Sequence, residues 1–334
     1  MKNSLIVLLL ILLTCGAITV GVKSGSFDVS FIQIFRALFN YEETNNLHFA
    51  IVQLRIPRII IGFLVGAALS FSGYLIQALV NNPLADPYIL GTASGASLGA
   101  NIAYAGLVPS VLLGISLGPV FAFLGAIGVT ILAATIAYSR GNIIPSKLLL
   151  AGIAISTFSV SMISLILFFA EGESKLKTII FWSLGGFERA GWEHVPALLI
   201  ISLASVVIFS FIGPSINLLF LGESRAINLG LNVKVFRWIL LIVICLNTGV
   251  AVSVSGPIGF VGLMVPHFVR GIFGTTGKYN LLFTTWIGGV FMLTCDLFSR
   301  WIYPPAGIPI GIITSIVGIP FFMYLLSKSN YKFS

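Results

Sequence analysis

Residues 57–80 read PRIIIGFLVGAALSFSGYLIQALV. After Arg58 the stretch carries no charged side chain. As a helix, 24 residues rise about 36 Å, enough to cross a hydrocarbon layer of about 30 Å. Gly62 and Gly66 stand four apart and therefore share a helical face, where a second backbone can come close. The stretch predicts a membrane span, and the rest of the chain has to be read in that solvent.

The composition agrees. Of 334 residues, 57% are hydrophobic and 8% charged; the mean hydropathy is +1.07. A soluble domain of this size could not bury so much apolar surface, whereas lipid excludes charge at a cost of several kcal/mol per group. Ten spans are expected, at about 3–22, 57–80, 89–107, 110–137, 146–170, 194–213, 236–255, 259–270, 281–299 and 309–327. The eighth is too short to cross as a straight helix. The first apolar run continues past Cys15 to Val22, so a retained span is expected rather than a cleaved signal. No short repeat or low-complexity linker divides the chain. The expected fold is all-α, a polytopic membrane protein whose residues 1–334 form one transmembrane domain.

An even number of spans puts both termini on one side. With both termini cytoplasmic, the inner face holds Lys2, Arg140, Lys147, Arg225, Lys234, Arg237, Arg270, Lys278, Lys328 and Lys332. The outer face then holds Lys23, Arg36, Arg55, Arg58, Lys175, Lys177, Arg189 and Arg300. The small inner excess favours this orientation. The net charge of +8 comes from scattered residues with no basic run, so nucleic acid is not an expected partner.

Several function classes lack their residues. Cys15, Cys245 and Cys295 show no C-x-x-C spacing, and His48, His194 and His267 are far apart, so no metal site or cofactor is expected. The run GTTGKY at 274–279 lacks the spacing and hydroxyl of a phosphate-binding loop, and neither G-x-S-x-G nor H-E-x-x-H occurs. The chain is not expected to be an enzyme. Ionisable residues inside the spans are few, chiefly Asp296 near one end. An ion-coupled secondary transporter usually carries mid-depth carboxylates, which makes that class, or a channel, the alternative reading.

The polar segments carry the remaining information. In 23–56, Ser30 and Gln33 have capping-box spacing, and Phe31, Ile34, Phe35, Leu38 and Phe39 recur at helical spacing, predicting a helix in the outer interface. In 171–193, Trp182 and Trp192 are expected interfacial anchors. The loop at 80–91 places Asn82 and Asp86 ahead of Pro83 and Pro87, which suits tight turns. Gly91, Gly95 and Gly99 follow at intervals of four, expected mainly to serve helix packing. Between 253 and 270, Gly256, Pro257, Gly259, Gly262 and Pro266 interrupt a helix, and such breaks often lie beside a transport path. His267 can titrate near neutral pH, but a structural hydrogen bond is the expected role. Arg55, Arg58 and Arg300 fall at outer span ends, where exposed guanidinium groups suit either carboxylates or lipid headgroups. In LGESRAINLG (221–230), Gly222 and Gly230 can bound a short helix that begins with Glu223.

Eight segments occur in a fixed order: RIPR (55–58), NPLADPYILG (82–91) with SGA (94–96), LLLAG (148–152), WSLGG (182–186), LGESRAINLG (221–230), SGPIGFVGLMVPHFVR (255–270), DLFSR (296–300) and IPIGIITSIVGIPFF (308–322). In these the chain resembles the FecCD-like permeases, membrane subunits of ABC importers for iron–siderophores, haem and cobalamin. The resemblance implies a type II importer permease in a bacterial cytoplasmic membrane. It implies a homodimer around a central path, two cytoplasmic ATPase subunits below and an extracytoplasmic solute-binding protein above. By position it makes Arg55, Arg58 and Arg300 docking residues for the binding protein. Leu221, Gly222, Glu223, Arg225, Ala226, Leu229 and Gly230, within a segment of about 214–235, become the ATPase-coupling element. Pro145 and Ser146 match the inner gate, and Asn82, Pro83, Gly262, Pro266 and His267 are further path or gate candidates. An iron–siderophore is the expected cargo, with haem and cobalamin open. Two positions depart from the family pattern: Gly307 replaces a usual Glu, and GTTGKYN (274–280) replaces a loop that usually carries an acid–His pair.

Overall fold

The computed structural model describes residues 2–328 apart from Ser26, Asp28, Arg140, Thr276, Lys278, Pro305 and Ala306. Arg140, Lys278 and Lys332, counted above toward the inner face, lie outside the described residues. Helix α1 (Lys2–Lys23) leads to α2 (Phe31–Phe39) and a short α3 (Asn46–Phe49), which runs through a π-helical turn (Ala50–Arg55) into α4 (Ile56–Leu79). Pro57 has no N–H for the carbonyl four residues back, and the wider winding lies just ahead of it. A 3₁₀ turn (Pro87–Leu90) precedes α5 (Thr92–Tyr104), and a hairpin of β1 (Val111–Leu112) and β2 (Ile115–Ser116) precedes α6 (Leu117–Ala137). A second hairpin, β3 (Tyr138–Ser139) with β4 (Asn142–Ile143), leads into α7 (Pro145–Phe169) and α8 (Glu173–Leu184). Then follow α9 (Val195–Phe220), α10 (Glu223–Asn228), α11 (Val233–Ser255), α12 (Val261–Phe273), α13 (Asn280–Ile302) and α14 (Ile310–Lys328).

Each expected span contains a helix, and among the described residues eight helical stretches are long and apolar enough to cross a membrane. Two are not. The short eighth span is α12, with 13 residues. The third span is corrected in the same sense: α5 also has 13 residues, because Asp86 caps a 3₁₀ turn at Pro87 and Gly91 then turns with φ +83° before the α-helix begins. About 20 Å of helix does not reach across the hydrocarbon layer.

The fold is organised around the stretch first quoted. Twenty of the 24 residues of α4 are buried, and α4 packs against α9, α11, α12 and α13. Around it, α1, α7, α9 and α14 turn large apolar side chains outward, among them Leu8, Phe168, Phe211 and Ile316. Exposed apolar surface of this extent belongs against lipid.

Glycine sets the helix spacing. A Cβ at Gly99 would sit on the carbonyl oxygen of Phe121, and Gly95 and Gly125 face each other's carbonyls, so α5 and α6 meet backbone to backbone. Gly66 meets the carbonyl of Gly288 on α13 in the same way. The capping box at Ser30 forms as read, with Gln33 N–H donating to Ser30 Oγ and Ser30 N–H to Gln33 Oε1. It leaves Phe31, Ile32, Phe35, Leu38 and Phe39 exposed on α2. Trp192 is partly exposed and donates to Val52 O at 2.8 Å. Trp182 is not an interfacial anchor: it is buried with Ala96 and Ala100, whose small side chains make room for the indole.

Candidate functional site

The polar residues gather at the two ends of α4. At its N-terminal end, Asp296 of α13 lies almost fully buried. Its Oδ1 accepts from Arg58 Nε at 2.9 Å, and Arg58 Nη2 and Arg300 Nη2 complete the ion pairs at 2.9 Å from Oδ1 and Oδ2. Arg300 Nη1 also donates to the carbonyls of Gly21 and Ser24. Arg55 Nη1 reaches Val22 O and Lys23 O, Nη2 reaches Phe27 O, and the guanidinium stacks 4.7 Å from the Phe27 ring. The last turn of a helix leaves carbonyls without partners and carries partial negative charge. Two arginines therefore cap α1, and two share one carboxylate. The expectation of exposed guanidinium groups is corrected: Arg55 is 7% exposed, and the side chains of Arg58 and Arg300 are 15% and 10% exposed.

At the C-terminal end of α4, the buried amide of Gln77 donates from Nε2 to the carbonyls of Ala85, Gly262 and Leu263, at 3.1–3.4 Å. Its Oε1 accepts from Arg270 Nη2. The Arg270 guanidinium lies over the rings of Tyr74 and Phe220, 5.8 and 5.7 Å from their centroids. The amide thus joins the 80–91 loop to the start of α12, and the guanidinium it holds reaches the end of α9. Asn82 stays in that loop, its Oδ1 accepting from Leu84 N–H at 2.9 Å beside a half-buried Pro83. Burial pushes the Asp86 carboxyl up to about 6, with the Tyr88 N–H bond opposing the rise.

The helix break is more local than the spacing of its glycines and prolines implies. It spans Gly256 to Phe260, with φ +67° at Gly256 and +69° at Phe260. Ile258 N–H is satisfied by the Tyr88 hydroxyl at 3.0 Å. Gly262 and Pro266 are buried inside α12 rather than interrupting it, since a proline six residues into a helix that starts at Val261 costs one backbone bond only. The hydrogen bond expected of His267 is also corrected. Its Nδ1 finds no partner among the described residues, and its ring packs edge-on to Phe321.

Beyond Phe220 the chain turns at Gly222, whose φ of +97° strains any side-chain-bearing residue. The six-residue α10 closes with a Schellman motif, Gly230 N–H to Ile227 O at 2.9 Å and Leu231 N–H to Ala226 O at 3.0 Å. Leu221, Arg225, Ile227 and Leu229 are exposed, while Ala226 is fully buried and holds α10 to the core. Ala226 therefore lies beneath the presented surface and not on it. Glu223 does more than favour the helix dipole: both its oxygens meet the guanidinium of Arg237 on α11, at 3.2 and 2.8 Å. Pro145 is half-buried at the start of α7, where its fixed φ suits the first helical turn, and Ser146 beside it is exposed.

The sequence reading did not single out Gln77 or Arg237. Gln77 had a signal, as the one amide in an otherwise apolar run. Arg237 had none, because a basic residue near a span end reads as snorkelling until its partners are seen.

The FecCD transport family matches residues 8–328. An Fe(3+)-citrate import system permease from Bacillus subtilis (strain 168) is 35% identical over 311 residues, covering 92% of this chain and 89% of that protein. A hemin transport system permease from Yersinia pestis is 32% identical and covers 97% and 95%. A vitamin B12 import system permease from Vibrio vulnificus (strain CMCP6) is 32% identical and covers 98% and 95%. An inward-facing conformation of a metal-chelate type ABC transporter superposes with a TM-score of 0.84 at 28% identity, over 97% of this chain and 99% of that one. With its buried central helix, lipid-facing shell and ordered polar ends, the chain belongs to the FecCD transport family and is a multi-pass membrane permease of the ABC importer class.

Proposed function

We propose that the chain is one half of a homodimeric permease that moves a metal chelate through its dimer interface by alternating access. Two separate ATPase subunits drive it, a solute-binding protein loads it, and both termini are cytoplasmic in a bacterial inner membrane. The observation that carries this reading is α10. A six-residue helix bounded by two positive-φ glycines presents Ile227 to solvent, with Leu229 at its C-cap and Leu221 just ahead of it also exposed. It does so beside the Gln77–Arg270 node. A small exposed apolar face on a firmly seated helix suits insertion into a cleft of a partner. Relatives named for ferric citrate, hydroxamate, hemin and vitamin B12 support the chelate class, and an iron–siderophore is the cargo we favour.

The solute-binding protein is placed at the opposite end, over Arg55, Arg58 and Arg300. Arg58 and Arg300 share the one carboxylate there while Arg55 is held by backbone carbonyls, and the excess positive charge suits acidic groups of a partner. Docking would then exchange part of the Asp296 pairing for carboxylates from the partner.

The test is reconstitution in proteoliposomes with the ATPase and the binding protein. Uptake should require ATP and survive collapse of ion gradients. Uptake by the permease alone, or uptake that stops with the gradient at constant ATP, overturns the proposal. Within that assay, Gly222→Val and Ala226→Leu should each lower transport per ATP by about tenfold, equivalent to about 1.4 kcal/mol of coupling. The first strains the turn and the second lifts α10 from its seat; wild-type coupling in both variants would remove α10 from the mechanism.

A further inference from the structure

We propose that Arg237 is a positioning residue that ties the coupling helix to the start of α7. The proposal rests on the reading of α10 as that helix. Arg237 is 5% exposed and sits in the first turns of α11. Its Nη1 donates to Glu223 Oε1 at 3.2 Å and Nη2 to Glu223 Oε2 at 2.8 Å, a forked pair. Nη1 also reaches Asn142 Oδ1 and the Ile143 carbonyl, each at 3.3 Å. These are the two residues of β4, which pairs with β3 in a tight hairpin. Two positions after Ile143, Pro145 begins α7.

One guanidinium therefore spans two segments that the backbone keeps apart: Glu223 and Ile143 are 80 positions distant in sequence. The fork matters because its donors diverge in a fixed plane, two toward the carboxylate and one shared with the hairpin. A lysine in its place offers a single nitrogen and cannot hold both partners in the same geometry. When a partner moves α10, the shortest polar route from Glu223 passes through Arg237 to the hairpin, and so to Pro145 and Ser146. No other ion pair of Glu223 occurs among the described residues. We assign Arg237 the work of carrying displacement of the coupling helix to the N-terminus of α7.

The experiment uses the complete transporter, permease with ATPase and binding protein, in proteoliposomes. It compares wild type with R237M, R237K, E223Q and the R237M/E223Q double variant, reading ATP hydrolysis and cargo uptake together. R237M should still co-purify with the ATPase and melt near wild type, while transport per ATP falls about tenfold, within the range of coupled pairs. R237K should fall between wild type and R237M. The double variant should be no worse than the poorer single, since both remove the same link. Multiplying losses in the double variant, or an unchanged transport per ATP in R237M, overturns the proposal. Failure of the wild-type permease to engage any ATPase overturns it too, and does so visibly through the reading of α10 rather than through Arg237.

Discussion

Gly99→Val is expected to abolish the folded permease. The Cβ would coincide with the carbonyl oxygen of Phe121, and the isopropyl group would extend further into α6. Neither helix can yield easily. On the same face Gly95 and Gly125 already meet each other's carbonyls, and Ala96, Ala100, Ala122 and Ala126 are buried in one cluster with Trp182. Overpacking a soluble core by a few methylenes costs about 1–3 kcal/mol. Here an entire helix has to separate, and in lipid that separation forfeits the close packing that holds helices together. Monodisperse yield after detergent extraction should collapse, and any surviving protein should melt far below wild type. Gly128, on the same helix as Gly125 but with open space at its Cβ, is the control: Gly128→Ala should extract and melt as wild type. Equal behaviour of the two variants would show that the α5–α6 contact does not limit stability.

This contrast shows which features were legible in the sequence. The spans were readable because lipid demands long apolar helices, and α4 stood out by carrying no charge beyond Arg58. The four-residue glycine interval gave the close faces, and Gly222 with Gly230 gave the bounds of α10. What failed to show was anything decided by partners distant in sequence. Trp182 looks like an anchor until small residues of α5 are found around it. Ala226 stands among the coupling residues by position, and only the seating of α10 shows that it is buried. The short α5 was hidden because its apolar neighbours extend the run while Asp86 and Gly91 impose turns inside it. The arginines are the clearest case: position at a span end suggests solvent or headgroups, and only the fold brings Asp296, 238 positions from Arg58, into the fork of its guanidinium.

That same pairing sets the second large effect. Asp296→Asn should be strongly destabilising although it changes few atoms. The carboxylate side chain is 2% exposed, accepts a hydrogen bond from Arg58 Nε and is ion-paired with both Arg58 and Arg300 at 2.9 Å. Asparagine keeps one acceptor oxygen but turns an NH₂ group toward one of the arginines and leaves both guanidinium groups without a counter-charge. Breaking one partner of a buried ion pair costs about 3–5 kcal/mol, most of it the penalty of the stranded charge. The loss should also loosen α1, because Arg300 holds the Gly21 and Ser24 carbonyls from the same position. A triple variant, Arg58→Met with Asp296→Leu and Arg300→Met, separates the two contributions. It strands no charge, so most of the Asn penalty should disappear. It cannot recover fully, since the last turn of α1 loses the donors of Arg300 and keeps only those of Arg55. Thermal unfolding in one detergent should therefore rank wild type above the triple variant and the triple variant above Asp296→Asn. If Asp296→Asn instead melts with wild type and changes only the affinity for the binding protein, the arginines are solvated in the membrane and held for the partner alone.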